Sequence, residues 1–216
     1  MDLIDISRPL SPATAVWPGD QPVEWTWTAR KEEGSSVNLG ALRLSTHAGT
    51  HADAPRHATE EGSTTSAFDP SVFVGPAVVI DVRGADTIRP QHVQDVSCRR
   101  VLFKTSASDL ATDQWPEAVT PIRPDAVEKL HEKKVALVGT DAPSVDALDS
   151  EELPAHHALI QAEIVNIEGL TLAEVQPGIY GLLALPMKLE GADAAPVRAV
   201  LGKRSIFTKA FSDDGK

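Results

Sequence analysis

The sequence contains a single cysteine, Cys98, among 216 residues. A lone cysteine excludes an intrachain disulfide and any metal site built from several thiolates. Long hydrophobic runs are also missing, because stretches such as GLLALPM (181–187) are far too short to span a bilayer. The first ten residues have no basic segment followed by an apolar one, which predicts that there is no signal peptide. Together these absences favour a cytoplasmic location.

The chain has fewer basic than acidic residues. The chain has 20 basic and 31 acidic residues, a net charge of -11. This balance argues against a nucleic-acid partner and against binding to an anionic membrane. With 42% hydrophobic and 24% charged residues and no internal repeat, the sequence predicts one globular domain over 1–216, with an N-terminal arm and a short polar C-terminal tail.

Strand and helix patterns alternate along the chain without a regular βαβ rhythm. VEWTWTAR (23–30) alternates with a period of two, and GPAVVIDV (75–82) reads as a buried strand. RPDAVEKLHEKK (123–134) predicts a helix that begins at its proline. HHALIQAEIVNIEGL (156–170) predicts a short helix, a strand and then a glycine turn. The sequence therefore predicts mixed α/β with an antiparallel or mixed sheet, not a doubly wound fold.

Three histidines and an aspartate crowd into STHAGTHADAPRH (45–57). Glycine and proline disfavour a helix here, and an extended strand end would place His51 and Asp53 on the same side. With His47 they could bind one ion, and imidazole with carboxylate suits Zn²⁺, or Mn²⁺ and Fe²⁺. Without cysteine, such a site is typical of catalysis more than of structure. The alternative is a solvated loop with surface histidines.

A second cluster lies in LPAHHALIQAEIVNIEGL (153–170). Glu168 stands among isoleucines and valine, where an unpaired carboxylate is costly to bury, which favours a cation as its partner. His156 and His157 precede it on the predicted helix. The alternative is that Glu168 ends a strand and faces water. Asp146, in the loop GTDAPSVD (139–146), is interpreted as a group that supports the loop or a ligand.

These residues match a known family. HAGTHADAPRH (47–57) resembles the His-x-Gly-Thr-His-x-Asp-x-Pro-x-His pattern of the metal-dependent cyclase-like hydrolases. The similarity continues in DISRPLSPATAVWPGD (5–20), VGTDAPSVD (138–146) and PGIYGLLALPMKLEGADAAPVRAVL (177–201), so it covers nearly the whole chain. Within the family, the chain is most similar to the bacterial arylformamidase (kynurenine formamidase) branch.

The resemblance implies a fold, a metal centre and a set of residues. The fold is a swivelling β/β/α domain, a mixed sheet with flanking helices, in a homodimer. Two Zn²⁺ ions per subunit are implied, with Mn²⁺ or another divalent ion as a substitute. The implied ligands are His47, His51, Asp53, His156 and Glu168. His57 matches a general acid/base that is not a ligand, and Trp17 an aromatic side chain that lines the substrate pocket. Trp25, Trp27 and Trp115 are interpreted as core or interface residues.

The resemblance also implies a reaction. It is the hydrolysis of the formyl amide of N-formyl-L-kynurenine to L-kynurenine and formate, in tryptophan degradation via kynurenine. One alternative is another hydrolase of the family that acts on a different N-acyl arylamine or a cyclic amide, since Ala58 stands where the family often has an aromatic residue. Another is a metal-binding protein without turnover, against which the non-ligand His57 argues. A serine hydrolase is disfavoured because there is no G-x-S-x-G motif.

Overall fold

The computed structural model describes residues 3–203, which form a mixed α/β fold around one curled, nine-stranded sheet. The strands of the chain are β1 (Leu3–Asp5), β2 (Glu24–Ala29), β3 (Leu39–Arg43), β4 (His51–Asp53), β5 (Val74–Asp81), β6 (Arg100–Lys104), β7 (Leu137–Thr140), β8 (Val165–Glu168), β9 (Gly178–Leu183), β10 (Ala194–Pro196) and β11 (Val200–Gly202). Across the nine-stranded sheet the strand order is β1-β11-β9-β5-β6-β7-β8-β4-β10. The helices are α1 (Pro124–Glu132) and α2 (Pro154–Gln161), with short 3₁₀ turns between other elements.

The central strands β5, β6, β7 and β8 run parallel to one another, and the outer pairs are antiparallel. Parallel strands need cover on both faces, and their sequences are accordingly rich in valine, leucine and isoleucine. On the face beneath α1 and α2 the core includes Val101, Phe103, Val138, Leu130 and Leu159. On the opposite face it includes Leu102, Leu137, Ile167, Phe73 and Leu182. Alternate residues of the same strands therefore supply two cores.

Most of the predicted elements are confirmed. α1 begins at Pro124, as the sequence predicts, because the fixed φ of proline suits the first helical position and its missing N–H is not needed there. The segment 156–170 contains all of α2 except its first two residues, then β8, then a turn at Gly169 with a φ of +67°. The sheet is mixed, as predicted. The polar tail predicted at the C-terminus lies outside the described residues.

Strands β2 and β3 form an antiparallel hairpin that is separate from the nine-stranded sheet. Trp25 and Trp27 stack edge-on on its surface, with ring centroids 5.5 Å apart. Both side chains remain about half exposed, as do Leu39 and Leu42 on the neighbouring strand. The hairpin therefore carries apolar surface that the described part of the chain leaves uncovered. In residues 3–203 no helix has the length and hydropathy that crossing a bilayer requires.

The turn at Gly169 brings β8 against the loop before β4. A Cβ atom at Gly169 would lie 2.2 Å from the carbonyl oxygen of Gly49, too close for any side chain. The hydroxyl of Thr50 donates a hydrogen bond of 2.6 Å to the carbonyl oxygen of Gly169 across the same contact. The two segments can approach this closely because Gly169 has no side chain.

We expect Gly169→Ala to lower the free energy of unfolding by about 3 kcal/mol. Alanine is strained in the left-handed backbone conformation, and its Cβ atom would also clash with the carbonyl group of Gly49. Gly84→Ala is the matched control. Gly84 has a φ of +83° but nothing within 4 Å of an added Cβ, so only the strain of about 1 kcal/mol applies. Urea unfolding of both variants measures the difference. Equal losses would show that the contact with Gly49 carries no stability.

Candidate metal centre and active site

The pairing of β4 with β8 brings two acidic side chains and a histidine together. In this antiparallel register His51 lies opposite Glu168, and Asp53 lies opposite Asn166. Because side chains alternate along a strand, all four project from the same face of the sheet. His51, Asp53 and Glu168 are each at most 4% exposed. Two carboxylates thus lie buried beside one imidazole, as the two-residue period of the sequence predicted for His51 and Asp53.

α2 adds His156 from above this face. Asp146 fixes the start of the helix, since its carboxylate accepts hydrogen bonds from the backbone N–H groups of Ala155 and His156. Oδ2 of the same aspartate lies 2.7 Å from Nδ1 of His156. Nε2 of His156 consequently faces the two buried acids, 3.4 Å from Oδ2 of Asp53 and 3.4 Å from Oε1 of Glu168. The neighbouring His157 is exposed, so the structure brings the first histidine of the pair into the site.

His47 completes the group from the loop before β4. Its Nδ1 lies 3.1 Å from Oδ1 of Asp53, and its Nε2 lies 2.9 Å from Oδ2 of Asp193. Asp193 also accepts a hydrogen bond from the hydroxyl of Thr46. One ring nitrogen of His47 is thus held by an outer carboxylate while the other faces the centre, a usual arrangement around metal-binding histidines. We call His47, His51, Asp53, His156 and Glu168 the ligand cluster.

The ligand cluster leaves polar atoms without partners. Of the described side chains, those with a buried nitrogen or oxygen that makes no hydrogen bond include His51 (Nε2), Asp53 (Oδ1) and His156 (Nε2). Buried polar atoms are nearly always satisfied, and three orphaned atoms that converge on one point need an explanation. Imidazole nitrogen and carboxylate oxygen are the donors that Zn²⁺ and similar ions prefer. The residues present therefore fit a divalent cation.

The charges of the cluster depend on one another. Burial lowers the pKa of His51, but the carboxylates of Asp53 and Glu168 outweigh it and raise that pKa to about 10. For His156, burial again lowers the pKa, and Asp146, Asp53 and Glu168 raise it to about 12. Burial raises the pKa of Asp53, yet the positive charge of His51 and the close approach of the other imidazoles hold it well below its usual value. Without a metal, the protonated imidazoles supply the positive charge that the buried carboxylates require.

His57 packs against the ligand cluster, and one of its ring nitrogens lies within 4.8 Å of donor atoms of Asp53 and His156. It is on the short 3₁₀ turn after β4, and its ring packs 4.2 Å from that of His47 and 5.4 Å from that of His156, measured between centroids. Its side chain is 30% exposed, and Nδ1 is 3.8 Å from Oδ2 of Asp193. Burial lowers the pKa of His57, and the charges of His47 and His156 lower it further against the attraction of Asp53. A neutral imidazole at neutral pH is able to accept a proton.

A cavity of about 310 Å³ opens onto this group, within the range of small-molecule sites. Four histidines of the site, His47, His51, His57 and His156, line its floor together with Glu168. Its other lining residues are Trp17, Asp20, Trp115, Pro143, Ser144, Ser150 and Leu153.

Two tryptophans form the aromatic wall of the cavity. Trp17 is 42% exposed and lies where the sequence placed it, in the turn of the WPGD segment. Its ring meets that of Trp115 edge-on, with centroids 5.4 Å apart. Trp115, interpreted from the sequence as a core or interface residue, is partly buried and lines the cavity. Trp115 is about a hundred residues from Trp17 in sequence and has no motif around it, so only the folded chain reveals the pair.

The sequence also missed two polar residues that support the site. Asp193 orients His47, as described above. Asn166 donates from Nδ2 to Oδ2 of Asp53 at 2.7 Å and to Oε1 of Glu168 at 3.1 Å, so it links the two acids. Its position two residues before Glu168 on one strand is a usable signal, because such residues share a face. Asp193 offers no comparable signal, since only β10 pairing with β4 brings it near.

The family follows from comparison with known proteins. A family model described as a putative cyclase matches residues 4–147, which is more than half of the chain. A solved structure, titled a potential metal-dependent hydrolase with cyclase activity, superimposes with a TM-score of 0.79 at 30% sequence identity, covering 93% of this chain and 96% of that one. The chain therefore belongs to the cyclase family of metal-dependent hydrolases.

Within this family the chain groups with the kynurenine formamidases. It is 60% identical to the kynurenine formamidase of Salinibacter ruber over 206 residues, which cover 93% of this chain and 97% of that protein. It is 42% identical to the kynurenine formamidase of Bacillus cereus over 201 residues, covering 92% of this chain and 96% of that protein. The similarity thus spans nearly the full length of both relatives, as the resemblance in the sequence implied.

We expect Zn²⁺ binding to the metal-free protein at pH 7 to release about two protons, because His51 and His156 carry a proton there and must lose it to become ligands. Both pKa values are raised above 7, so affinity rises with pH. Calorimetric titration in buffers of different ionisation enthalpy counts the protons.

His156→Gln should reduce that release to about one proton, whereas the exposed neighbour substitution His157→Gln should leave it unchanged. A binding enthalpy that is the same in every buffer would contradict the protonation of these two histidines.

Proposed function

We propose that this protein hydrolyses the formyl amide of N-formyl-L-kynurenine, giving L-kynurenine and formate. The observation that carries the proposal is the 60% identity with a kynurenine formamidase over 93% of the chain. The site is consistent with it, since candidate metal ligands, a further histidine at position 57 and two tryptophans line one cavity.

We infer that the ligand cluster holds two divalent cations, Zn²⁺ by preference or Mn²⁺ in its place. His47, His51 and Asp53 would hold one ion, and His156 the other, with the carboxylates of Asp53 and Glu168 shared between them. The two oxygens of Asp53 support this division, because Oδ1 faces His47 and His51 while Oδ2 faces His156. When bound, such ions lower the pKa of water and polarise a carbonyl group.

His57 is the proposed general acid/base. Its lowered pKa keeps the imidazole neutral at neutral pH, so it can take a proton from the attacking water. The same nitrogen can then return the proton to the departing aniline nitrogen, which leaves as a neutral amine. Asp193, 3.8 Å from Nδ1, would stabilise the imidazolium formed between the two steps. Amides need this second proton transfer because an anilide anion is a poor leaving group.

Trp17 and Trp115 are the proposed contact for the aryl ring. Aromatic side chains favour stacked or edge-on contact with another ring, worth about 0.5–1.5 kcal/mol per pair beyond the area buried. Their edge-to-face packing gives the wall a fixed shape. An aryl ring in contact with the two tryptophans would place its formamide group next to the histidines that line the cavity.

Hydrolysis by the purified protein, followed as kynurenine absorbance, tests the proposal directly. We expect turnover of N-formyl-L-kynurenine that disappears on chelation and returns when zinc is added, because the ligand cluster is unsatisfied without a cation. Bound metal without turnover of this substrate would overturn the formamidase assignment. Failure to bind any divalent metal would overturn the site itself.

Two histidine variants separate chemistry from folding in the same assay. His57→Ala should keep its metal and lose about 10²- to 10⁴-fold in kcat, the usual contribution of a general acid/base. His157→Ala removes an exposed histidine outside the site and should match the parent protein. Equal activity of the two variants would remove His57 from the mechanism.

We propose a cytoplasmic location. The sole cysteine, Cys98, is buried as a free thiol, which suits a reducing compartment. Fractionation of the source cells checks this proposal.

We also propose that the protein is a homodimer that uses the β2–β3 hairpin as part of its interface. The hairpin exposes Trp25, Trp27 and Leu42 on one face, and contiguous apolar surface of this kind marks an interaction site. A second copy of the chain is the partner that the proposal commits to.

We expect light scattering to give a dimer for the parent protein and a monomer for the double variant Trp25→Ser/Trp27→Ser, because these rings are the largest uncovered groups of the hairpin. Met187→Ser, which removes an exposed apolar side chain elsewhere, is the control. A monomeric parent, or a double variant that stays dimeric, would contradict the proposal.

A further inference from the structure

A narrow crevice opens from the side of the main cavity. The two spaces share His47, Trp115 and Pro143 as lining residues. The crevice has a volume of about 30 Å³, which holds a group the size of one or two water molecules but no aryl ring. A substrate in the main cavity could therefore extend only a small substituent into it.

Arg8 supplies the positive charge of this crevice. Its backbone N–H donates a hydrogen bond of 2.7 Å to Oγ1 of Thr50, which fixes the chain at this point beside β4. Arg8 is half-buried and is one of the residues that line the crevice, and its guanidinium has no hydrogen-bond or ion-pair partner among residues 3–203. Burial lowers the pKa of Arg8, but arginine remains charged at any physiological pH. Its donors are thus available to an anionic group.

Asp141 is the nearest candidate for an internal partner, but its oxygens are already occupied. Oδ1 accepts from the hydroxyl of Thr105 at 2.5 Å. Oδ2 accepts from the N–H of Thr105 at 2.8 Å and from the hydroxyl of Ser108 at 2.6 Å. Among the described residues Asp141 and Arg8 form no ion pair, although the charge of Asp141 raises the pKa of Arg8 against the larger lowering by burial. The hydrogen bonds of Asp141 are therefore satisfied without Arg8.

The rest of the crevice also suits an anion. Within residues 3–203 no aspartate or glutamate lines it, although the chain carries 31 acidic residues. Gln114 lies on the same wall, and its Oε1 accepts a hydrogen bond from the N–H of Ala111 at 3.1 Å. The Nε2 donor of Gln114 is left for the crevice. A guanidinium and an amide donor at one small opening match the two oxygens of a carboxylate.

We propose that Arg8, assisted by Gln114, binds the α-carboxylate of the amino-acid arm of the substrate. The inference rests on the proposed function and names the part of the substrate that the ligand cluster does not contact. The formamide lies over the histidines, the aryl ketone passes Trp115, and the carboxylate enters the crevice. Arg8 is then a specificity residue that distinguishes amino-acid formanilides from simple ones.

A pair of substrates tests this role. N-formyl-L-kynurenine and 2′-formamidoacetophenone share the formamide and the aryl ketone, but only the first has a carboxylate. We expect Arg8→Gln to lower kcat/KM for N-formyl-L-kynurenine by about 10- to 100-fold, mostly through KM, because a charged hydrogen bond is lost. The same variant should leave 2′-formamidoacetophenone unchanged. Arg8→Lys should recover part of the loss, since it restores charge without the bidentate fork.

Arg123→Gln is the matched control, because it removes the same charge from an exposed pair with Asp125 at the start of α1 and should change neither substrate. Equal losses on both substrates, or no loss on either, would overturn the role of Arg8 while leaving the proposed function intact. If the parent protein hydrolyses neither substrate, the proposed function fails. Calorimetric titration with L-kynurenine and 2-aminoacetophenone then tests separately whether the crevice binds a carboxylate. Selective weakening of L-kynurenine binding by Arg8→Gln supports it, and equal binding by parent and variant overturns it.

A smaller carboxylate, the product formate, could also enter the crevice. Inhibition of 2′-formamidoacetophenone hydrolysis by added formate distinguishes the two sources. If Arg8→Gln abolishes formate inhibition and leaves N-formyl-L-kynurenine kinetics unchanged, the crevice takes formate and the proposal for the α-carboxylate is overturned.

Discussion

The antiparallel pairing of β4 with β8 is the contact on which the candidate centre depends. It sets His51 opposite Glu168 and Asp53 opposite Asn166. A slip of one residue would turn every one of these side chains to the opposite face of the sheet, so the register has to be fixed firmly. The close approach of Gly169 to the loop before β4 fixes it from one end, and the burial of both strands fixes it along their length.

The register alone would leave two carboxylates in an apolar interior, which is costly without positive charge. The structure surrounds them with imidazoles whose outer nitrogens are already held. Nε2 of His47 meets Asp193, Nδ1 of His156 meets Asp146, and Nδ1 of His51 faces the carbonyl oxygen of Gly49. Each ring therefore directs its other nitrogen at the acids. Such an arrangement is organised before a cation arrives, which reduces the cost of binding one.

Three kinds of surface line the cavity and its side crevice. Histidines and Glu168 form the floor, Trp17 and Trp115 form an aromatic wall, and Arg8 occupies the side crevice. An aryl amide with an anionic arm is complementary to that order of polar, apolar and cationic surfaces. If each part of the substrate is recognised by a different surface, the histidines and Glu168 can stay the same in a family whose members differ in substrate.

The sequence by itself determined the elements and the ligand types. The helix that begins at Pro124, the buried strands and the turn at Gly169 follow from local preferences that act over a few residues. The spacing of His51 and Asp53 placed them on one side of a strand for the same reason. Only the tertiary structure decided which distant residues complete the site. Trp115, Asp193 and Arg8 reach it through strand pairings and loop contacts between segments far apart in sequence, and the local pattern around each carries no trace of those contacts.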